Sequence, residues 1–521
     1  MSRYYNLLLS LSAGLLLFAA WPMSPFTFLI FFAFLPLLWM ESRVKSRRHY
    51  FLLVYLAMFI WNVSTTWWIW NASEPGAIAA FIANSALMCL PWMGYRSVKN
   101  HFGDMTGLVS LLVFWMSFEY IHLQDWGLSW PWLTLGNVFA TRTEWVQWYE
   151  YTGSSGGTLW VLLINLLLFI YFRSVGRRSY TFLLLILFVF ASPILVSRFF
   201  IPSTPVKLGE TNIVVVQPNI DPYEKISTGS FEAQLQKLIR VSETAIDQRT
   251  RLVVWPETAL YSENRIDEAG MKNNYFLDPL WEFLRKHPDI SLFTGVESYR
   301  QFDHPTRYTD HYNQYYFESY NGSVLMDSAG THAFYHKSML VPGVETLPWF
   351  LKFISNWFEK FGGTTAGYAR QSERTVLEEK NGFKIAPAIC YESVYGEYLS
   401  RYVKKGANLI CVITNDGWWK NTPGHKQHMN YARLRAIETR TWVARSANTG
   451  ISCFIDPMGR VINARPYDTE AAIRLNIAPE QRQTFFVKYG DLLSKIALLV
   501  AGIMLTIMIY EKFRNRFRKN K

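Results

Sequence analysis

Cysteine is scarce in this sequence, which has only Cys89, Cys390, Cys411 and Cys453 in 521 residues. No two of them form a CxxC pair, and none has the spacing of a zinc-ligand set. Four cysteines in so long a chain also do not make a disulfide framework. The scarcity therefore excludes a zinc-based or disulfide-based fold, and each thiol has to be judged by its own neighbours.

Charged residues are also few, at 18% of the chain, and they are unevenly distributed. Residues 1–198 hold 12 Lys/Arg against 7 Asp/Glu, residues 199–490 hold 33 against 31, and residues 491–521 hold 7 against 2. A nucleic-acid-binding protein would concentrate positive charge on its folded domain. Here the excess lies in the two flanks beside apolar segments, which is typical of a membrane protein.

Hydrophobic residues, by contrast, make up half of the chain and collect in long runs. A helix needs about 20 apolar residues to cross a bilayer. The sequence predicts eight such spans, at 5–22, 25–40, 51–70, 77–95, 105–123, 157–172, 180–197 and 491–510. Residues 1–198 would then form a seven-helix membrane bundle, residues 491–511 an eighth helix, and residues 512–521 a basic cytoplasmic tail.

The placement of Lys and Arg predicts the orientation of these spans. With the N-terminus in the cytoplasm, the inner loops and the tail hold 16 Lys/Arg residues. The outer connections hold Arg142, with Arg198 at the exit of the seventh span. Cytoplasmic loops are the ones enriched in Lys and Arg, so the block between the last two spans is expected outside the cytoplasm. The stretch WNVSTTWWIWNASEPG at 61–76 ends a span on this outer side and is expected to form an interfacial aromatic belt.

Residues 205–485 have a different sequence pattern, in which short runs rich in β-branched residues alternate with helical segments. The predicted strands lie in NIVVVQPN, RLVVWPET, ISLFTGVE, FKIAPAICYE, NLICVITNDG and SCFIDPMG. The helical segments include FEAQLQKLIRVSETAIDQ and HMNYARLRAIETRTWVARSAN. This alternation predicts one large α/β domain with buried sheets. No tandem repeat of fixed period and no low-complexity tract interrupts it.

Three residues at the ends of strand-like runs carry the candidate chemistry. Cys390 follows KIAPAI, Glu257 follows RLVVWP, and Lys337 follows the probable hairpin NGSVLMDSAGTHAFY. Functional groups gather at the carboxyl ends of strands in open α/β sheets. Each residue alone is more commonly a buried cysteine, a surface carboxylate or a solvated lysine. Together they offer a nucleophile, a base and a cation that stabilises an oxyanion.

The order WPE, HK and CYE resembles the Glu, Lys and Cys pattern of the nitrilase superfamily. NDGWW at 415–419 is similar to the segment that follows the next strand in that superfamily, and RLRAIETRTWVARSANTG at 433–450 is similar to its long helix leading into Asn448 and Gly450. Together with WPMSPFTFLIFFAFLPLL, WPWLTLGN and GGTLWVLLINLLL in the membrane part, the whole chain resembles the apolipoprotein N-acyltransferase family. This resemblance implies a membrane α-helical bundle joined to a nitrilase-like αββα sandwich outside the cytoplasm.

The resemblance also implies roles for individual residues. Glu257 would be the general base and acid, Lys337 the cation that stabilises the oxyanion, and Cys390 the nucleophile. The supporting residues would be Glu345 in a mobile loop, Tyr391, whose N–H would join the oxyanion hole, and Glu392.

Two positions depart from the family pattern. Pro342-Gly343-Val344-Glu345 stands where the family often has Pro-Phe-Gly-Glu, and Ile226 stands where it often has Trp. The stretch VETLPWFLKFISNWFEKFGG at 344–363 alternates apolar and cationic residues at near-helical spacing. It is predicted either as an interfacial arm that gates the site or as an amphipathic helix packed on the domain.

The reaction implied by the resemblance is a two-step acyl transfer in the bacterial inner membrane, with the catalytic domain in the periplasm. The partners would be a phospholipid acyl donor and a diacylglyceryl lipoprotein acceptor. No metal, nucleotide or redox cofactor and no nucleic acid is expected. The oligomeric state is left open, with a monomer as the simplest expectation.

Two other functions share some of these features. A membrane-anchored amidase or nitrilase would use the same three residues to hydrolyse a small amide. A non-enzymatic transporter would carry ionisable residues within its spans, and Glu119 is the main candidate for such a residue.

Overall fold

The computed structural model describes residues 2–174, 179–200, 208–223, 231–261, 265–306, 308, 310–312, 315–346, 367–479 and 482–519. The chain divides into two compact units. The first comprises Met1–Trp67, Ala77–Pro202 and Tyr489–Lys521, and the second comprises Trp68–Gly76 and Ser203–Lys488.

The first unit is helical. Its helices are α1 (Ser2–Ala20), α2 (Leu35–Glu41), α3 (Arg47–Thr66), α4 (Glu74–Phe102), α5 (Asp104–His122), α6 (Tyr149–Thr152), α7 (Ser154–Arg173), α8 (Tyr180–Leu195) and a C-terminal helix (Leu492–Lys519). Short 3₁₀ helices occur at Thr27–Phe31, Pro131–Leu133, Leu135–Thr141 and Thr143–Trp145. Within the described residues, seven helices are long and apolar enough to cross a membrane.

The second predicted span, 25–40, differs from the other seven. It forms a 3₁₀ turn at Thr27–Phe31 followed by α2, and the whole apolar run Thr27–Glu41 is shorter than a full span. Pro25 lies just before the 3₁₀ turn, and Pro36 lies in the first turn of α2. Proline lacks the N–H that a continuous helix requires, so no single helix runs through this segment. The number of eight spans therefore stays a prediction. The C-terminal helix runs on to Lys519 and includes most of the predicted tail.

Glu119 is an anchor within the helical unit. Its carboxylate accepts hydrogen bonds from the indole N–H of Trp115 at 2.8 Å, the backbone N–H of Leu135 at 2.8 Å and the hydroxyl of Thr158 at 2.6 Å. These donors come from α5, the following loop and α7. A carboxylate held in this way joins three segments of the unit. This structural role weakens the transporter hypothesis, in which Glu119 was the main ionisable residue within a span.

Among its described residues, the second unit contains fourteen strands in two sheets. The strands are β1 (Asn212–Gln217), β2 (Thr250–Val254), β3 (Ile266–Asp267), β4 (Ser291–Phe302), β5 (Asp310–Tyr312), β6 (Tyr315–Asp327), β7 (His332–His336), β8 (Leu377–Glu378), β9 (Lys384–Ile389), β10 (Leu409–Thr414), β11 (Trp442–Ala447), β12 (Ser452–Ile455), β13 (Val461–Arg465) and β14 (Ala471–Asn476). Each of the six predicted strand-like runs contains one of these strands. The predicted hairpin is formed by β6 and β7.

The first sheet has the order β14-β1-β2-β4-β6-β5, with β3 beside β4 and β7 beside β6. β1, β2 and β4 run parallel, and β14 and β6 are antiparallel to their neighbours. The second sheet has the order β13-β12-β11-β10-β9-β8, with β9, β10 and β11 parallel. Strands β1, β2, β9, β10 and β11 and the first half of β4 are almost entirely buried, as expected for strands covered on two faces.

The two sheets face each other, and helices cover their outer sides. The Ser446 hydroxyl on β11 donates to the Val216 carbonyl on β1 at 2.6 Å. The helices of this unit are α9 (Phe231–Glu243), α10 (Asp278–Lys286), α11 (Gly396–Lys404), α12 (Pro423–Thr439) and α13 (Phe485–Tyr489). Apolar residues of α9 and α10, such as Leu238 and Trp281, join one buried cluster with Trp255 and the first sheet. α11 and α12 contact the second sheet. The architecture is an αββα sandwich.

The predicted long helix over 433–450 is wrong in its second half. α12 ends at Thr439, Arg440 adopts a left-handed backbone with φ +51°, and β11 follows. A residue in this conformation ends a helix because it reverses the chain direction, and the N–H of Thr441 then donates back to the Ala436 carbonyl at 3.3 Å. The aromatic and β-branched residues of TWVARSA then suit a strand.

The short segment Trp68–Gly76 belongs to the α/β unit. Trp68 is fully buried, and its ring centroid lies 4.7 Å from that of Trp419. Asn71 donates to the Trp419 carbonyl at 3.3 Å. Only part of the predicted aromatic belt is therefore exposed. Trp67 and Trp70 are exposed, whereas Trp61 and Trp68 are buried in protein. Ile226 and residues 347–363 of the predicted arm lie outside the described residues.

Candidate active site

Glu257 and Lys337 meet where two strands end. Glu257 follows β2 after Trp255-Pro256, and Lys337 follows β7 directly. Lys337 Nζ donates to Glu257 Oε1 at 3.2 Å, and both side chains are buried. Oε2 of Glu257 accepts the backbone N–H of Asn415, just past β10, at 3.1 Å. The carboxylate is thus fixed from both sheets.

A second carboxylate, Glu345, completes the surroundings of the lysine. Lys337 Nζ donates to Glu345 Oε1 at 2.8 Å. Asn321 on β6 bridges the two carboxylates, because its amide donates to Glu257 at 2.9 Å and to Glu345 at 2.8 Å. Burial alone would lower the pKa of Lys337, but the charges of Glu257 and Glu345 outweigh it and raise the pKa well above its usual value. The lysine is therefore a cation at neutral pH.

Glu345 reaches the lysine from a tight turn. Its N–H donates to the Val341 carbonyl at 2.9 Å, and its Oε2 accepts the Val341 N–H at 2.8 Å. Gly343 has φ +79°, a left-handed conformation that glycine adopts without steric cost. The glycine of this loop stands one position earlier than in Pro-Phe-Gly-Glu, and here it provides a positive φ at the turn.

Cys390 lies at the end of β9 in a strained conformation. Its φ is +51°, which is uncommon for a residue with a side chain, and it begins the 3₁₀ helix Cys390–Val394. Burial and the charge of Glu257 raise the pKa of the thiol well above its usual value, and Lys337 opposes them only in part. The thiol is therefore protonated at neutral pH, and it needs a base in order to react.

The charges around the thiol favour an internal proton transfer. The cluster pairs the one cation of Lys337 with the two carboxylates of Glu257 and Glu345, and these formal charges sum to −1. Moving the thiol proton to Glu257 keeps this sum unchanged. Losing the proton to solvent would add another negative charge to a buried site, which is costly. The arrangement thus favours Glu257 as the base during attack on a carbonyl carbon.

Glu392 connects the lysine strand to the cysteine strand. Its buried carboxylate accepts five hydrogen bonds of 2.7–3.2 Å, from the N–H groups of Ser338, Met339 and Ile389 and from the hydroxyls of Tyr335 and Tyr398. Burial raises the pKa of Glu392, while these donors act to lower it. The neighbouring Tyr391 is also buried, with its ring edge-on to Tyr395 at 5.2 Å.

The structure places all six predicted site residues in the α/β unit. Sequence reasoning missed Asn321, although one signal was present: an Asn-Gly pair lies in the middle of β6. It also missed the backbone N–H of Asn415, because a backbone group leaves no mark in a sequence. Among the residues that the structure describes, no group of three or more His, Cys, Asp or Glu side chains could hold a metal ion.

Two family profiles match the chain. The carbon-nitrogen hydrolase profile matches residues 212–484, which include the whole site. The profile of the apolipoprotein N-acyltransferase N-terminal domain matches residues 13–167 in the helical unit. The two matches thus cover both units of the chain.

Relatives of similar length extend this comparison. The chain is 28% identical to the apolipoprotein N-acyltransferase of Chlorobaculum tepidum, over 97% of this chain and 96% of that protein. It is 26% identical to the apolipoprotein N-acyltransferase of Aquifex aeolicus, over 90% of this chain and 98% of that protein. Among solved structures, Saccharomyces cerevisiae Nit3, of branch 10 of the nitrilase superfamily, matches 55% of this chain and 97% of its own with 18% identity and a TM-score of 0.40.

Proposed function

The chain belongs to the apolipoprotein N-acyltransferase family within the nitrilase superfamily, and on that basis we propose that it N-acylates the N-terminal diacylglyceryl-cysteine of bacterial lipoproteins with an acyl chain from a phospholipid. It is a multi-pass membrane acyltransferase. The observation that carries the proposal is the buried cluster of Glu257, Lys337 and Glu345, in which the charges of Glu257 and Lys337 act on the strand-end thiol of Cys390.

The first step forms an acyl-enzyme. Glu257 takes the proton of Cys390 while the sulfur attacks the carbonyl carbon of a phospholipid ester. Lys337 and the N–H of Tyr391 stabilise the oxyanion that results. The ester C–O bond then breaks, Glu257 returns the proton to the departing alkoxide, and lysophospholipid leaves. Cys390 keeps the acyl chain as a thioester.

The second step transfers the chain to an amine. The neutral α-amine of the diacylglyceryl-cysteine attacks the thioester carbon, and Glu257 takes a proton from the nitrogen. The C–S bond breaks, the proton returns to sulfur, and an amide remains. An amide is more stable than a thioester, so the reaction needs no nucleotide. Release of the first product before entry of the second substrate predicts ping-pong kinetics.

We further propose that the protein lies in the bacterial inner membrane with its α/β unit in the periplasm. The asymmetry of Lys and Arg in the loops supports this orientation. The proposal retains the predicted division into spans within 1–198, a catalytic domain at 205–485, a span at 491–511 and a tail at 512–521. Both substrates carry acyl chains that leave a bilayer at a cost of about 0.8 kcal/mol per CH₂ group, so membrane attachment suits this reaction.

The proposal is tested by measuring the intact mass of the full-length protein in detergent after incubation with phospholipid and no acceptor. Wild type is compared with Cys390→Ala. We expect an added mass equal to one acyl chain on the wild type alone. Hydroxylamine should remove this mass, and so should a diacylglyceryl-cysteine peptide, which should itself become heavier by the same acyl group.

The outcomes separate the candidate functions. Absence of any adduct on the wild type would contradict the acyl-enzyme step. An adduct that water removes but the lipopeptide amine does not would support the amidase-like hydrolase instead. An adduct that persists in Cys390→Ala would place the nucleophile elsewhere.

A further inference from the structure

The backbone carbonyl of Cys390 is held by two side chains. His428 on α12 has its Nε2 at 3.0 Å from this oxygen, and the Ser393 hydroxyl donates to it at 2.8 Å. A carbonyl oxygen can only accept, so Nε2 of His428 carries the hydrogen. His428 Nε2 also lies 2.8 Å from Ser393 Oγ. The two side chains therefore fix this carbonyl together.

His428 is in turn held by a buried ion pair. Its Nδ1 lies 3.0 Å from Asp416 Oδ1 and 3.0 Å from a guanidinium nitrogen of Arg445, and Arg445 also donates to Asp416 Oδ2 at 2.6 Å. Thr414 donates to Asp416 Oδ1 at 2.8 Å. His428, Asp416 and Arg445 are completely buried, so few other arrangements are open to the imidazole. These residues come from α12, the end of β10 and β11, and none of them was used in the acyl transfer described above.

The position of the Cys390 carbonyl decides the direction of the next N–H. The peptide unit between Cys390 and Tyr391 is planar and trans, so its C=O and N–H point in opposite directions. Holding the oxygen on the α12 side therefore directs the Tyr391 N–H to the opposite side. It also holds Cys390 in its left-handed conformation, which would relax if the peptide rotated.

We propose that His428 is a positioning residue that fixes the Cys390–Tyr391 peptide, so that the Tyr391 N–H points at the developing oxyanion. This inference rests on the proposed acyl-enzyme mechanism. His428 contacts the carbonyl oxygen of Cys390. It acts through the backbone of the nucleophile, and Asp416 and Arg445 act through His428.

The ion pair of Asp416 and Arg445 also bears on the charge around the thiol. Asp416 carries a negative charge whose effect is to raise the pKa of the Cys390 thiol. Burial would raise the pKa of Asp416 itself, but Arg445 and His428 outweigh burial and hold it well below its usual value. Asp416 therefore stays ionised beside Arg445, and its carboxylate contacts the imidazole.

Two substitutions separate the two contacts of His428. In His428→Gln the side-chain amide reaches about as far as Nε2 and can still donate to the Cys390 carbonyl. In His428→Asn it reaches only about as far as Nδ1, so it can keep the Asp416 contact but not the carbonyl contact. His425→Gln and His425→Asn are matched controls, because His425 is also buried and lies one turn earlier on α12, with its ring packed on Tyr467.

Two reactions of Cys390 are measured on the full-length protein in detergent. Acylation by p-nitrophenyl butyrate releases p-nitrophenolate, leaves a butyryl thioester and passes through an oxyanion, but it needs no lipid site. Alkylation by iodoacetamide uses the same thiol and passes through no oxyanion. Loss of one oxyanion donor costs about 10²–10³ in rate, so we expect His428→Asn to acylate about ten- to a hundredfold more slowly than wild type. We expect His428→Gln to stay within about threefold of wild type, and alkylation to change by less than about threefold in both variants.

The controls and a phospholipid arm make every outcome decisive. Equal acylation by His428→Asn and His428→Gln, or equal losses in the His425 variants, would overturn the proposal, and so would acylation and alkylation falling together. If His428→Asn does not fold, Ser393→Ala replaces it, and slower acylation with unchanged alkylation supports the proposal, whereas no loss overturns it. Wild type that reacts with the nitrophenyl ester but not with phospholipid would contradict the proposed function alone. Wild type that reacts with neither would overturn both.

Discussion

In the proposed mechanism, Cys390 is a nucleophile whose thiol stays protonated until a carbonyl arrives. Because the pKa of its thiol is raised by burial and by Glu257, the thiolate fraction at neutral pH is small. Below that pKa the thiolate fraction grows about tenfold per pH unit. We therefore expect the iodoacetamide rate of the folded protein to keep rising beyond pH 9, where an ordinary thiol with a pKa of about 8.5 levels off.

The measurement is the mass increase of full-length protein with time from pH 6 to pH 10. Cys89, Cys411 and Cys453 are buried, so Cys390→Ala should show almost no labelling and gives the background. A rate that reaches its plateau below about pH 8 would contradict the raised pKa and would indicate a thiolate formed in advance.

Glu392 shows how one carboxylate can hold two strand ends. In Glu392→Gln the amide must turn an NH₂ group toward at least one N–H or O–H donor, because both oxygens accept hydrogen bonds. We expect a loss of about 2–4 kcal/mol of stability, since buried donors lose a charged acceptor. Acylation of Cys390 should fall as well, because Ser338 follows Lys337 directly.

Thermal unfolding of the detergent-solubilised chain measures this loss. Glu378→Gln is the control, because Glu378 is largely exposed and pairs with Lys384 at 3.0 Å on the surface. Such surface pairs contribute about 0–1 kcal/mol. Equal melting temperatures for the two variants would show that the five bonds of Glu392 add little.

At the scale of elements, β4 leaves room for the loop that carries Glu257, the proposed base. A Cβ at Gly295 would lie 2.6 Å from Glu257 Cα and 2.5 Å from the Thr258 N–H nitrogen. In Gly295→Ala that loop must move. We expect about 1–3 kcal/mol of destabilisation from overpacking and roughly a hundredfold slower acylation, because a shift of about 1 Å at a reacting group costs that much.

Acylation and melting temperature together test this displacement. Gly502→Ala is a control in which the new methyl group meets no atom within 4 Å. If Gly295→Ala loses stability but acylates at the wild-type rate, the loop tolerates the shift. The close packing of Gly295 on Glu257 would then not affect catalysis.

Elements with a strong local pattern were predictable from sequence. β1, β2, β9 and β10 are short apolar runs bounded by polar or turn residues, and all of them are strands. The pattern failed after Thr439, where a helical run continues into a strand. Arg440 ends the helix because its backbone is left-handed. Unlike glycine or asparagine, an arginine in a sequence does not indicate such a conformation.

The candidate site was predictable only in part, for a physical reason. Cys390, Glu257 and Lys337 stand at strand ends, which a sequence reveals. Asn321 and His428 act through contacts with residues 64 and 38 positions away, respectively. Such contacts depend on how sheets pair and helices pack, and a single sequence does not encode them locally.

On the scale of the whole molecule, the α/β unit is built from two stretches of chain. Trp68 is fully buried there, whereas its neighbour Trp67 is 46% exposed. Trp68 contacts Trp419, whose ring lies edge-on to His428 at 5.5 Å. We expect Trp68→Ala to cost about 3–5 kcal/mol and to slow acylation of Cys390, because deletion of a buried tryptophan leaves a cavity.

Trp67→Ala is the adjacent control and should change little. Unfolding of the α/β unit is followed on heating by labelling of Cys411 and Cys453, which are buried in it. Labelling at the same temperature in the two variants would show that Trp68 adds nothing to this unit.

The segment Trp68–Gly76 has a consequence for how such a protein can be divided or exchanged. A gene fragment for residues 203–488 encodes both sheets but not the indole that covers Trp419 and fills the space above Gly424. Recombination between relatives with breakpoints only at the borders of that fragment would pair Trp419 with a foreign partner. The two halves of the chain are therefore not independent modules, and inheritance of the α/β half requires nine more residues encoded more than a hundred codons upstream.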